Sequence, residues 1–427
     1  MDGLYGHPTS PSSTPPTAVE RFFAVAVLFF STGAFWRLLQ GSREVETGEW
    51  TGALVTNCMW VLVYLTASWF LFTRCSVPWR LWKKPALLLL PVPVAVASLM
   101  WSEAPLLTFL RCGALIGTTV LALYLALRFS ISEIIHFAGC ALGLAAVGSL
   151  IAAIIFPGFG LGTDAYEGLW LGAFAQKNEL GIMMSTAFLV YLFLFWHKQS
   201  VRILWLGLSS LCVLLIVKAD SMTSLVICCV MPYLLWVSHK TLTRTGSLAK
   251  RILYFGFPVV LLAAALALEF DRVLDAVGRS ADLTGRTILW ALASQAALEK
   301  PYVGHGYEAF WRGYEGTAGD IWTQLGAYFY YSHNGFLEIS LALGLVGLVA
   351  VLIALFLFGK SALRVMQTQK GLMAMWPWAL LLYLLLSNIL EGTLMKSNNL
   401  PWLLYTITVF SLSVSSPTLT HDIRSLK

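Results

Sequence analysis

Charge is scarce in this sequence. Asp, Glu, Lys and Arg together make up 12% of its 427 residues, against about 25% in a soluble globular chain. That deficit excludes a water-soluble core of this size. It also strips the net charge of +6 of meaning as a nucleic-acid signal; what counts is where the basic residues lie. Cysteine is sparse too: Cys58, Cys75, Cys112, Cys140, Cys212, Cys228 and Cys229 fall in apolar runs or at their ends. No pair has metal-ligand spacing in a polar loop, which argues against a disulfide framework and a zinc site. They read as small buried hydrophobes. A Gly-rich phosphate-binding loop is missing, and so is any strong internal repeat. The opening stretch, "MDGLYGHPTSPSSTPPTAVE", lacks the apolar core and cleavage site of a signal peptide and reads as a disordered tail over 1–18.

Hydrophobicity is what the chain has in quantity. Apolar residues make up 58%, and the mean hydropathy is +0.74. Many runs approach the ~20 residues needed to cross a bilayer as a helix. The reading is an all-α polytopic membrane protein with about twelve spans, near 19–39, 51–73, 85–100, 105–127, 131–156, 171–196, 202–218, 221–238, 251–270, 334–358, 372–391 and 399–416. The third is short, and Pro91 and Pro93 predict a kink in it. Nine spans thus occupy 19–270, one long loop 271–332, three spans 334–416, and a second tail 417–427.

Cytoplasmic loops are enriched in Lys and Arg. With the N-terminus inside, the inner segments hold Arg74, Arg80, Lys83 and Lys84, then Lys240, Arg244, Lys250 and Arg251, then Lys360, Arg364 and Lys370. Short outer loops are acidic or neutral, as in "SREVETGEW". Both tails are then cytoplasmic and the loop at 271–332 is external. Within that loop, "GRTILWALASQAALEKP" predicts an amphipathic helix that Pro301 stops, with Ile288, Leu289, Leu292 and Ala296 on one face. The following "YVGHGYEAFW" reads as a Gly-rich turn carrying aromatics.

Polar residues collect at the outer ends of spans: "WSEAP", "AQKNELG", "KADSMTS", "LTGRT", "SHNG" and "EGTLMKSNN". Arg111 lies inside the fourth span near its outer end. Charge within a membrane is costly and commonly lines a cavity or pathway, although any one such side chain can simply snorkel to the interface. Their accumulation on one side suggests a cationic cavity, opening outward and suited to a phosphate or pyrophosphate. Of seven histidines, only His305 and His333 face outward in this topology. His333, where loop meets span, is placed either to take a proton from an attacking hydroxyl or to cap and anchor the helix.

Five stretches together carry a family resemblance: "LMWSEAPLLTFLRCG", "FAQKNELG", "KADSMTSL", "LTGRTILWALASQAALEKPYVGHGYEAFW" and "SHNGFLEISLALGLVGL". In their order and side of the membrane the chain resembles the O-antigen ligase and polymerase superfamily of bacterial envelope glycosyltransferases, nearest its exopolysaccharide polymerase branch. The resemblance implies a GT-C-like fold in the bacterial inner membrane with its active site facing the periplasm. It implies transfer of a glycan from a polyprenyl (undecaprenyl) pyrophosphate carrier to an acceptor hydroxyl, on a growing glycan in polymerases or on lipid A core in ligases. Inversion at the anomeric carbon goes with it, without metal or cofactor. Implied partners are the lipid-linked donor, the acceptor and membrane lipids, with no nucleic acid. Carried over by motif, Arg286 matches the pyrophosphate arginine and His333 the general base. Lys177 stands where many ligases have Arg, Arg111 is a further candidate for the anion, and Asn178 and Asn334 are candidates to bind sugar or orient the site. His305 departs from the usual wording of its turn. A ligase acting on lipid A core, a protein O-glycosyltransferase of the same superfamily and a transporter or lipid flippase are the rival readings. A flippase fits less well, since polar groups crowd one surface rather than the midplane.

Overall fold

The computed structural model of the protein describes residues 15–40, 53–75, 83–163, 167–197, 201–242, 282–314, 316–369 and 371–414. The expected ninth span at 251–270, the start of the external loop at 271–281, the acidic stretch at 41–52 and most of both tails lie outside the described residues. Among the described residues the chain is helical, with extended pairing confined to the bridges Leu161–Trp170 and Gly162–Glu167. Seven of the described helices are long and apolar enough to cross a membrane: Leu54–Arg74, Pro105–Arg128, Ile131–Ile155, Lys177–His197, Met222–Thr241, Gly335–Thr368 and Leu372–Leu390. Pro91–Met100 and Leu400–Val414 are shorter apolar helices. The outer surface is apolar as well: Phe72 and Ile203 are each 88% exposed, an arrangement that suits lipid and would be a liability in water. The protein is a multi-pass membrane protein.

Capping residues and prolines set where the helices begin. Thr17 and Glu20 form a capping box before Ala18–Phe30, and Ser130 and Glu133 form another before Ile131–Ile155. Pro105 opens Pro105–Arg128 in the first turn, where its missing N–H costs nothing. The third apolar run breaks as its prolines predict, into Lys83–Leu88, Pro91–Ala97 and a 3-10 turn at Ser98–Met100.

The helix Gly335–Thr368 runs for 34 residues, longer than the expected 334–358, and is interrupted at Gly344 (φ 59°, ψ −157°). The turn at 301–306 fills the interruption. His305 N and Gly306 N donate to the carbonyls of Leu341 and Ala342, while Leu345 N and Val346 N donate to those of Pro301 and Tyr302. Four backbone groups freed by the break are thus satisfied by protein, which is how non-helical backbone is tolerated within a membrane. A β-carbon on Gly344 would overlap the backbone of Tyr302, so close approach as well as positive φ calls for glycine.

The amphipathic helix of the loop spans Asp282–Glu299 and ends before Pro301, as the sequence predicts. Its buried stripe is Leu289, Ala293 and Ala296, packed with Phe310, Ala318, Ile321 and Leu341. Ile288 was expected on that face and is instead 53% exposed, because one residue before Leu289 lies about 100° around the helix.

The bundle has two chemically distinct ends. At one, Glu20 and Arg128 form a buried ion pair at 2.7 Å, Arg21 reaches Glu133 at 3.2 Å, and Ser132 meets His197 at 3.1 Å. The other end gathers the polar motifs singled out in the sequence.

Candidate active site

The site is built around the end of the helix Trp376–Leu390. Asn388 is fully buried, and its amide spends all its capacity locally. Nδ2 donates to Leu384 O and Thr393 Oγ1, both at 2.8 Å, and Oδ1 accepts from Thr393 N at 2.8 Å and Leu394 N at 3.0 Å. This fixes the turn that follows the helix and directs the Glu391 carboxylate inward, where its side chain is 6% exposed.

Two sequence-predicted residues meet on that carboxylate. Arg286, near the start of Asp282–Glu299, donates through Nη2 to Glu391 Oε1 at 3.2 Å and through Nη1 to Leu390 O at 3.1 Å. Its positive charge therefore also complements the negative end of the helix dipole. His333 meets the same carboxylate, with Nδ1 3.3 Å from Glu391 Oε2 and 3.4 Å from Oε1. The arrangement is a row: cation, carboxylate, imidazole.

His333 is held in a backbone conformation unusual for its type, with φ 53°, which costs about 1–3 kcal/mol where neighbours enforce it. The enforcing contacts lie on both sides. Before it, Ser332 O accepts from Trp290 Nε1 at 2.8 Å, and Ser332 N donates to the Glu338 carboxylate, which Trp311 Nε1 also reaches at 3.0 Å. After it, Asn334 caps the helix Gly335–Thr368, its Oδ1 accepting from Phe336 N and Leu337 N at 3.0 and 3.1 Å. The cap and the left-handed turn together aim the imidazole at Glu391.

Lys177 and Asn178 open the helix Lys177–His197. The preceding residue, Gln176, accepts from the Tyr331 hydroxyl at 3.3 Å, and the Tyr331 ring lies 4.1 Å from the His333 ring. Their motif is thereby joined to the histidine through one tyrosine. Arg111 belongs to an adjoining cluster, paired with Glu308 at 3.4 Å. It is tied to the turn after Trp376–Leu390 through Tyr307, whose hydroxyl donates to Met395 O.

His305 has a different setting. It is 2% exposed, with Nδ1 2.8 Å from Glu103 Oε1 and Nε2 3.1 Å from Ala296 O. Lys300 and Arg312 reach the same carboxylate at 2.8 and 3.0 Å. Burial works to raise the Glu103 carboxyl, but hydrogen bonds from Lys300 and His305, with their charges, bring it below its ordinary value. This cluster staples the turn at 301–306 to the end of the kinked third segment. It also means that the basic residues Lys300 and Arg312 are matched by a carboxylate in a way the sequence does not reveal.

Sequence reasoning missed Glu391 and Tyr331. "EGTLMKSNN" marks the polar end of a span, but nothing local tells that its glutamate meets residues 58 and 105 positions away.

The fold and site define a polytopic helical membrane protein with an Arg–Glu–His row at one end of its bundle. No family model matches the chain. It is 30% identical, over 283 residues, to the exopolysaccharide production protein ExoQ of Rhizobium meliloti (strain 1021), a match covering 61% of this chain. The chain spans 61% of the length of this curated relative. The similarity supports the resemblance carried by the five motifs, to the O-antigen ligase and polymerase superfamily and its exopolysaccharide branch.

Proposed function

We propose that the protein is a bacterial envelope glycosyltransferase that moves a glycan from a polyprenyl-pyrophosphate carrier onto an acceptor sugar hydroxyl, extending an exopolysaccharide chain. The observation that carries this reading is Glu391 standing between His333 and Arg286. A histidine oriented by a carboxylate is the arrangement a general base requires. With Nδ1–H directed to Glu391, the lone pair lies on Nε2 and is available to the acceptor hydroxyl. In this reading the hydroxyl oxygen attacks the anomeric carbon as its proton passes to Nε2. The bond from that carbon to the pyrophosphate breaks on the opposite face, and the configuration inverts. The departing pyrophosphate takes the electron pair, and Arg286 with Lys177 stabilises the charge developing there. Arg111 and Asn178 line the approach of the donor, and Asn334 acts through the position it gives His333. The reaction as written uses side-chain cations in place of a metal, and it runs on the periplasmic side of the inner membrane. The exopolysaccharide relative favours a polymerase over a ligase acting on lipid A core.

The test is transfer from a purified undecaprenyl-pyrophosphate donor by His333→Gln, at matched protein level and thermal stability. Loss of a positioned base costs roughly 10²–10⁴-fold in rate. Near-normal turnover would overturn the assignment.

A further inference from the structure

The turn "EGTLMKSNN" is held more firmly than a surface connection needs to be. Asn388 binds the amides of Thr393 and Leu394. The buried Tyr307 donates its hydroxyl to Met395 O. Asn398 Oδ1 accepts from the hydroxyls of Tyr64 and Thr118, and Asn398 N donates to Thr118 Oγ1 at 3.1 Å. Met395 and Asn398 both carry positive φ, 57° and 60°, a conformation that persists in such residues only where the surroundings over-determine it and that clusters at working sites. All this rigidity brackets one exposed side chain, Lys396.

The Lys396 ammonium lies 5.4 Å from the centroid of the Tyr331 ring, the ring that packs 4.1 Å from His333. Its charge setting differs from that of its neighbours. Arg286 faces Glu391, Arg111 faces Glu308, and Lys300 and Arg312 face Glu103. Lys396 has an aromatic face and, among the described residues, no carboxylate within ion-pair distance. A ring face is a weak partner for an exposed ammonium and leaves its three N–H donors open to an incoming anion.

We infer that Lys396 is an anion-binding residue of this site, contacting the diphosphate of the lipid-linked donor across Tyr331 from the histidine. The inference rests on the function proposed above. Its chemistry is that of a point charge on a stiff backbone: the stem swings, the anchor does not, and the ammonium meets phosphate oxygens without first giving up a carboxylate. An acidic sugar on the glycan offers the same charge, so the experiment separates the two sources.

The test uses the full-length protein in lipid nanodiscs. Binding is measured for undecaprenyl diphosphate, for undecaprenol as the uncharged probe, and for a free glucuronate-containing oligosaccharide. Lys396→Met is expected to weaken undecaprenyl diphosphate binding about tenfold, the loss of one charge-assisted contact, with undecaprenol unaffected. Lys396→Arg is expected to stay close to the unaltered protein. Lys360→Met is the control: Lys360 also sits over a ring, Phe356, at 5.8 Å, but toward the far end of the helix Gly335–Thr368, which begins just after His333. Undiminished diphosphate binding by Lys396→Met overturns the role of Lys396 alone. A loss seen with the acidic oligosaccharide and not with undecaprenyl diphosphate overturns it equally, in favour of a glycan contact. If the unaltered protein does not distinguish undecaprenyl diphosphate from undecaprenol, the inference and the proposed function both fall.

Discussion

Gly335 lies against the side-chain amide of Asn388, so close that a β-carbon there would overlap Oδ1. Gly335 N also donates to Glu391 O at 3.0 Å, so the two helix ends that carry His333 and Glu391 are in direct contact. Gly335→Ala is expected to destabilise the protein by about 1–3 kcal/mol, as overpacking of a tight contact does. The displacement falls where His333 and Glu391 meet, so activity should drop further than the melting temperature implies. A thermal melt in detergent beside a transfer assay checks both.

Glu391→Gln tests whether the carboxylate orients the histidine. The amide keeps the size but removes the charge facing both Arg286 and His333. At least a tenfold fall in kcat/KM is expected at a nearly unchanged melting temperature, in line with the order of a lost acid–base contribution. A fall in rate matched by a fall in melting temperature would show that Glu391 serves only to hold the fold.

Arg286 is expected to act on the leaving group. Arg286→Ala should raise the barrier by roughly 2–4 kcal/mol, like the loss of one preorganised oxyanion donor. Arg286→Lys should recover only part, since an ammonium cannot reproduce the fork that now bridges Leu390 O and Glu391 Oε1. Combined with Glu391→Gln, the effects should be far from additive, because the two side chains are in contact. Additivity in a double-mutant cycle would contradict the row.

Acid should loosen the turn at 301–306. The Glu103 carboxyl sits below its ordinary value of 4.5, burial being outweighed by hydrogen bonds from Lys300 and His305. A carboxyl depressed in the folded state stabilises fully above the unfolded value and loses that contribution as pH falls through the folded one. The melting-temperature gap between the unaltered protein and Glu103→Gln should therefore be largest near neutral pH and shrink below about pH 4.5. A gap that widens in acid would refute the assignment.

How much of this was legible in the sequence differs by level. Apolar length was enough to read an all-helical chain with several membrane-crossing helices, because in lipid each span must satisfy its own backbone; against the expected twelve spans, seven of the described helices are long and apolar enough to cross. Pro91 announced its kink, and Pro301 the end of the amphipathic helix. The break at Gly344 was hidden inside an unbroken apolar run, since what fills it is the turn at 301–306, some forty positions earlier. Arg286 and His333 were singled out by motif, and in the structure both contact the Glu391 carboxylate. Their junction, Glu391, was not found, because an ion pair between helix ends depends on packing and leaves no periodic trace. Asn334 is the converse: an Asn just before an apolar helix is a capping signal, and its side-chain oxygen is spent that way.

Orientation is the expectation on which the chemistry rests, and it is open to a direct test. Ser247, in a loop the sequence places inside, and Ser280, in the loop it places outside, lie outside the described residues. Thr323, in the helix Gly316–Leu325 beside the site, and Thr368, at the far end of Gly335–Thr368, are both exposed. The far end carries Lys360 and Arg364, the kind of cluster that marks a cytoplasmic face. In a background without the seven native cysteines, of which Cys58 and Cys229 are exposed, a membrane-impermeant maleimide applied to intact spheroplasts should modify Thr323→Cys. It should modify Thr368→Cys only after permeabilisation. The reverse pattern would put His333, Glu391 and Arg286 on the cytoplasmic side, where a donor already carried across the membrane does not meet them, and glycan transfer of the proposed kind would have no substrate.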